Sequence, residues 1–122
     1  PPYNQHPYGS NYFMLNLILN YKKPSEISRV SGIPNNWKKS AYNKRSQAKA
    51  ALFSALNRCK AKVILLSYNS EGFIPMDELI EEASKIGEVK SFDEKYNTFR
   101  GCRNLRDRAT YVTEHLIMIE RT

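Results

Sequence analysis

At 122 residues the chain has the length of one domain or part of one, and its 41% hydrophobic content is enough for a modest core. No apolar run approaches the ~20 residues of a membrane-spanning helix and no basic-then-apolar leader opens the sequence, so a soluble, intracellular protein is expected. A formal charge of +7 points to a polyanionic partner, of which nucleic acid is the commonest for a basic domain.

Ser10 is placed to cap a helix in which Phe13, Met14, Leu17, Ile18 and Tyr21 recur at helical spacing, ending near Lys22 and Lys23 before Pro24. Such a helix is expected to pack on a sheet. Residues 24–40 hold Pro24, Gly32, Pro34 and Asn35-Asn36, which predicts a long loop with at most a short helical turn around Ser25 to Val30, anchored by Trp37. From Ser40 or Ser46 a second helix runs to Arg58, with Ala48, Ala51, Leu52, Ala55 and Leu56 inside and Lys44, Arg45 and Lys49 outside. Val63-Ile64-Leu65-Leu66 is a continuous apolar run, which suits a strand buried on both faces in a parallel sheet, with Ser67-Tyr68-Asn69 at its carboxyl end. A turn over 70–75 enters a third helix from Met76 to Ile86, with Asp77 and Glu78 in its first turn and Gly87 as its stop. Glu88 to Phe92 reads as a short strand. Tyr111 to Ile119 reads as a longer one, with Tyr111, Thr113, His115, Ile117 and Ile119 alternating against Val112, Glu114, Leu116 and Met118. An irregular basic loop joins these two.

Cys59 and Cys102 lie far apart without ligand spacing and read as reduced thiols, while His6 and His115 read as ordinary surface or sheet residues, so no metal site is expected. Arg100, Arg103, Arg106 and Arg108, opposed only by Asp107, are the densest basic stretch, and Lys38, Lys39, Lys44 and Arg45 form a second cluster. Either is a solvated surface or a set of DNA phosphate contacts; the second reading predicts binding that weakens steeply with salt.

The ordered series Pro1-Pro2-Tyr3-Asn4, Tyr8-Gly9-Ser10-Asn11-Tyr12, Leu65-Leu66-Ser67-Tyr68-Asn69-Ser70-Glu71-Gly72, Tyr96-Asn97-Thr98-Phe99 and Glu114-His115-Leu116 resembles the carboxyl-terminal half of the catalytic domain of Dam-like, FokI-type adenine-N6 DNA methyltransferases. In that family the catalytic loop reads Asp/Asn-Pro-Pro-aromatic, so residues 1–122 are expected to start inside the loop, as a fragment lacking the amino-terminal portion. The resemblance implies an α/β fold, the carboxyl-terminal part of a Rossmann-like sheet in three layers, mixed, with an antiparallel last strand. It implies transfer of a methyl group from S-adenosylmethionine to adenine N6 in duplex DNA, in a restriction-modification system and in the bacterial cytoplasm at the nucleoid.

Adenine's amine is a poor nucleophile because its lone pair is delocalised into the ring, so the base must be flipped out and the nitrogen held against the methyl donor. By resemblance, Pro1 supplies a carbonyl acceptor, Pro2 stiffens the loop, Tyr3 stacks on the flipped purine, and Asn4, Tyr96 and Phe99 contact it. Tyr96 and Phe99 read equally well as aromatics packed at a strand end. The family's Phe-x-Gly-x-Gly cofactor loop is absent from the sequence, so these residues alone are expected to be catalytically silent and to depend on the amino-terminal part of the same enzyme. The competing function is a non-enzymatic basic DNA-binding module, or the remnant or subunit of a split methyltransferase. A strand edge left open by the absent half is expected to promote self-association.

Overall fold

The computed structural model describes residues 2–98 and 109–121. Two short helices, α1 (Tyr8–Asn11) and α2 (Phe13–Asn20), are followed by a 3-10 turn at Ala41–Asn43, helix α3 (Arg45–Arg58), strand β1 (Val63–Asn69), helix α4 (Met76–Ser84) and strands β2 (Glu88–Asn97) and β3 (Tyr111–Glu120). Pro1, Phe99, Arg100, Arg103, Arg106 and Arg108, with Cys102, lie outside the described residues.

The sheet has the order β1-β3-β2, and β3 pairs antiparallel with both neighbours. The last strand in sequence therefore lies in the middle, and the two outer strands run in the same sense. In β1 the burial alternates: Ile64, Leu66 and Tyr68 are buried, while Val63 and Leu65 are exposed. The register sets Ile64 opposite Ile119, Leu66 opposite Ile117 and Tyr68 opposite His115, which gathers the buried side chains on one face. Helices α3 and α4 cover that face with Leu52, Phe53, Leu56, Leu79 and Ala83. The stripe Ala48, Leu52, Leu56 recurs every four residues, as a helix buried along one side requires.

Two expectations fail here. Val63–Leu66 is not buried on both faces in a parallel arrangement; it pairs antiparallel with β3, and Leu65 is 63% exposed. The third layer is also not found among the described residues, because α2 buries none of its residues and Met14, Leu15, Ile18 and Leu19 are exposed. An apolar run records what a strand can bury, not how many layers are present to bury it.

The first helix is also broken in two at Tyr12, and α2 ends where Tyr21 turns left-handed at φ 51°. Ser10 does not cap it: it sits inside α1, its hydroxyl donating to the Pro7 carbonyl at 2.8 Å. In the loop beyond, an Ile27–Pro34 bridge closes a turn at Gly32, whose φ of 69° favours glycine. Trp37 does anchor the loop, edge-on to Phe13 at 5.9 Å and pressed against Gly9. Strand β2 extends five residues beyond its expected end, to Asn97, because pairing with β3 holds a segment whose own charged sequence shows little alternation.

Candidate functional site

Asn69 ends β1, Asn97 ends β2 and Tyr111 begins β3, so the carboxyl ends of the two outer strands open on the same side of the sheet. Crevices at the carboxyl ends of strands that run the same way are recurrent ligand sites in α/β proteins. Here a cavity of about 400 Å³ is lined by Pro2, Tyr3 and Asn4 from the amino-terminal loop, Asn69 at the end of β1 and Glu71 just beyond it, Tyr96 from β2 and Thr98 just beyond it, and Glu114 from β3.

The loop is fixed from two sides. The buried Asn43 donates from Nδ2 to the Asn4 carbonyl at 2.9 Å and to the His6 carbonyl at 3.3 Å, while its Oδ1 accepts from the Ser40 backbone N–H at 3.3 Å. From the other side, the Phe73 N–H donates to the Tyr3 carbonyl at 2.8 Å. Tyr68 completes the brace: its ring meets Tyr3 edge-on at 6.2 Å and its hydroxyl accepts from the Ile74 N–H at 3.1 Å. Gly72 permits this, since a Cβ there would stand 2.3 Å from the Tyr68 ring. Burial above all, then the charges of Glu114 and Glu71, push the Tyr3 phenol above its usual range, so it is neutral at physiological pH. A neutral ring on a backbone clamped at its carbonyl is suited to stacking.

Opposite, the buried Asn69 donates from Nδ2 to Glu114 and accepts at Oδ1 from the Glu71 N–H at 2.8 Å. Thr98 bonds the Ala109 carbonyl through its hydroxyl at 2.5 Å and the Thr110 carbonyl through its N–H at 3.0 Å. Thr98 is thus held at the cavity wall by two bonds to 109–110.

Of the residues singled out in the sequence, Pro2, Tyr3, Asn4 and Tyr96 come together here. Tyr96 is half exposed at the cavity, so it is not packed away in a core. Lys38, Lys39, Lys44 and Arg45 are exposed and do not line this cavity; the Arg45 guanidinium lies over the Phe73 ring at 4.9 Å. Pro1, Phe99 and the four arginines of 100–108 lie outside the described residues.

Sequence reading named Asn69, Glu71 and Glu114 as parts of motifs without assigning them to the site, and it passed over Asn43. The available signal was polar residues at strand ends facing the Pro2-Tyr3-Asn4 loop; for Asn43, a buried amide serving distant backbone, the sequence carries none. Among the described residues no three His, Cys, Asp or Glu side chains converge to hold a metal ion, and no helix is long and apolar enough to cross a membrane.

The chain is similar to Type II methyltransferase M.CviAII of Paramecium bursaria Chlorella virus 1, at 31% identity over 82% of this chain and 30% of the relative. It is similar to M.NlaIII of Neisseria lactamica at 27% identity, over 100% of this chain and 36% of the relative. It is also similar to M.FokI of Planomicrobium okeanokoites at 30% identity, over 82% of this chain and 15% of the relative. The chain spans roughly a third or less of the length of these relatives. No family model and no solved structure matches.

Proposed function

From a chain homologous to the Type II DNA methyltransferases, we propose a role as the target-base side of a site-specific adenine-N6 methyltransferase acting on duplex DNA. The observation that carries this is the clamped Pro2-Tyr3-Asn4 loop on the wall of a base-sized cavity at the carboxyl ends of β1 and β2. A purine flipped out of the duplex stacks on the Tyr3 ring, a contact worth roughly 1–3 kcal/mol, and Tyr96 offers a second aromatic surface. The family resemblance assigns acceptance of an amine hydrogen to the carbonyl of Pro1, which lies outside the described residues. The sheet supports a Rossmann-like parent, since an antiparallel strand inserted between two strands of common direction fits the expected antiparallel last strand.

The methyl group comes from S-adenosylmethionine, whose sulfonium makes it electrophilic. The residues of this chain do not fit that cofactor: the sequence holds no Phe-x-Gly-x-Gly loop. Binding of the donor falls to an amino-terminal part of the same protein, and the chain's own residues bind, stack and orient the base. The setting is the cytoplasm of a restriction-modification host. A non-enzymatic DNA-binding module is the less favoured reading, since the relatives' names are those of methyltransferases and modification methylases.

Labelled methyl transfer to duplex DNA tests this. The purified chain should transfer none, and mixing it with the amino-terminal part should yield N6-methyladenine on nucleoside analysis. Methylcytosine as the product would overturn the adenine assignment, and transfer by the chain alone would overturn the division of labour. In the active mixture Tyr3→Phe should retain most activity and Tyr3→Ala should lose roughly 10- to 100-fold; equal losses would assign the role to the hydroxyl.

A further inference from the structure

Resting on the reading of the cavity beside Tyr3 as a base pocket, we propose that a second groove, built on Trp37, carries the phosphodiester backbone of the same DNA strand as it leaves the flipped base. This groove, of about 560 Å³, is lined by Gly9 and Phe13 from the two short helices and by Pro24, Pro34 and Trp37 from the loop that follows them. The indole is held there by ring packing. Phe13 meets it edge-on at 5.9 Å, Gly9 makes room for it, since a Cβ there would stand 3.0 Å from the ring, and its buried Nε1 has no hydrogen-bond partner among the described residues.

Three cations surround this apolar wall. Lys22, Lys23 and Lys38 line the groove, all are exposed, and none forms a salt bridge among the described residues. The left-handed turn at Tyr21, which ends α2, redirects the chain just before the first two. Glu26 also lines the groove, which leaves three positive groups against one negative. Lysines without acidic partners beside an aromatic ring match a chain of phosphates and bases. A protein segment seated there would instead close three lysines out of water with one carboxylate to answer them, and burying unpaired charge is costly.

The position of the groove identifies the strand. Tyr8 and Asn11 line the base cavity while Gly9 and Phe13 line the groove, so one helical turn separates the two. A helix is roughly 10 Å across, a distance that one DNA strand covers in about three nucleotides at about 3.4 Å each. The strand that delivers its base to Tyr3 therefore reaches the lysines within a few nucleotides.

Trp37 is the single tryptophan of the chain, so its fluorescence reports this groove. The probes are single-stranded oligothymidylates with one central adenine, in which one thymine at a time, stepping away from the adenine on either side, is replaced by 5-bromouracil, a heavy-atom quencher. With the 122-residue chain, quenching should peak with the bromouracil about three nucleotides from the adenine on one side and fall away beyond it. Combining Lys22→Gln, Lys23→Gln and Lys38→Gln should abolish that peak and reduce the salt slope of binding, read by fluorescence anisotropy, by about 2. Quenching with no preferred position overturns the strand path, and that arm needs no variant; a triple variant with the wild-type salt slope overturns it as well. Displacement of the oligonucleotide by polyglutamate at equal charge concentration would make the groove a general anion site and also overturn it. In each of these cases a preference for the adenine oligonucleotide over an abasic one leaves the base pocket standing. Loss of that preference overturns the base pocket, and with it the path that starts there.

Discussion

The two faces of the sheet are built from alternate residues of the same three strands, yet they differ in what meets them. On one face Ile64, Leu66, Ile117 and Ile119 disappear beneath α3 and α4; on the other Val63, Leu65, Phe92 and Leu116 are exposed. The composition of the second face is nearly as apolar as that of the first. Strand sequence therefore specifies a surface fit to be covered twice, and the helices present among the described residues cover it once.

The contrast is sharpest in stability. Ile117→Ala, at a position with 0% exposure in the central strand, should cost about 2–5 kcal/mol, whereas Leu65→Ala should stay within about 0.5 kcal/mol. Urea melts of the two variants would check this, and similar losses would mean that the second face is covered in solution. Such a loss is a large share of the stability of a small domain.

Next in size is Gly72→Ala, whose new methyl would collide with the Tyr68 ring on the covered side. We expect a loss of about 1–3 kcal/mol and, in the reconstituted enzyme, a lower methylation rate, since Tyr68 supports Tyr3. A full rate at reduced stability would separate the fold from the site.

Self-association probes the exposed face itself. Light scattering should find oligomers of the isolated chain that shrink when Leu65 and Leu116 are both changed to Glu, because contact there removes apolar area at about 25 cal/mol per Å². A monodisperse 14.1 kDa wild-type chain would break the comparison.

The smallest effect concerns Asp93, across the ladder from His115 and bonded to its Nδ1 at 2.8 Å on the covered face. The hydrogen bond from His115, then that from Ser91, holds the Asp93 carboxyl below its usual value. A depressed folded-state pKa stabilises the fold above the unfolded carboxyl range, near 4, and that contribution is lost as pH falls through the lower folded value. The melting temperature of wild type should therefore exceed that of Asp93→Asn at pH 6 by a small margin that closes toward pH 2.

Much of this was legible in the sequence. Helix α3 and strand β3 show clear periods, 3.6 and 2, because each has one covered side, and both lie within a residue of their expected ends except at the 3-10 turn that precedes α3. That the Pro2-Tyr3-Asn4 loop belongs to the cavity was legible through its prolines. Pairing order was not, since nothing local tells the last strand to insert between the other two, nor was the clamp by Asn43, whose partners lie 39 and 37 residues away. Glu114 shows the same limit from the other side: its motif was visible, but its place in the cavity depends on the register with Asn69.

The Asn43 clamp has a kinetic consequence. One side-chain amide, just before α3, holds two carbonyls of the loop, and the Phe73 amide holds a third, so the loop cannot detach while the helix and the strand turn remain docked. Loop opening is then not a low-energy local fluctuation but part of a larger cooperative event. In hydrogen-deuterium exchange the Phe73 amide should exchange at the slow rate of the buried strands, and in Asn43→Ala it should move to the fast rate of the surface turns.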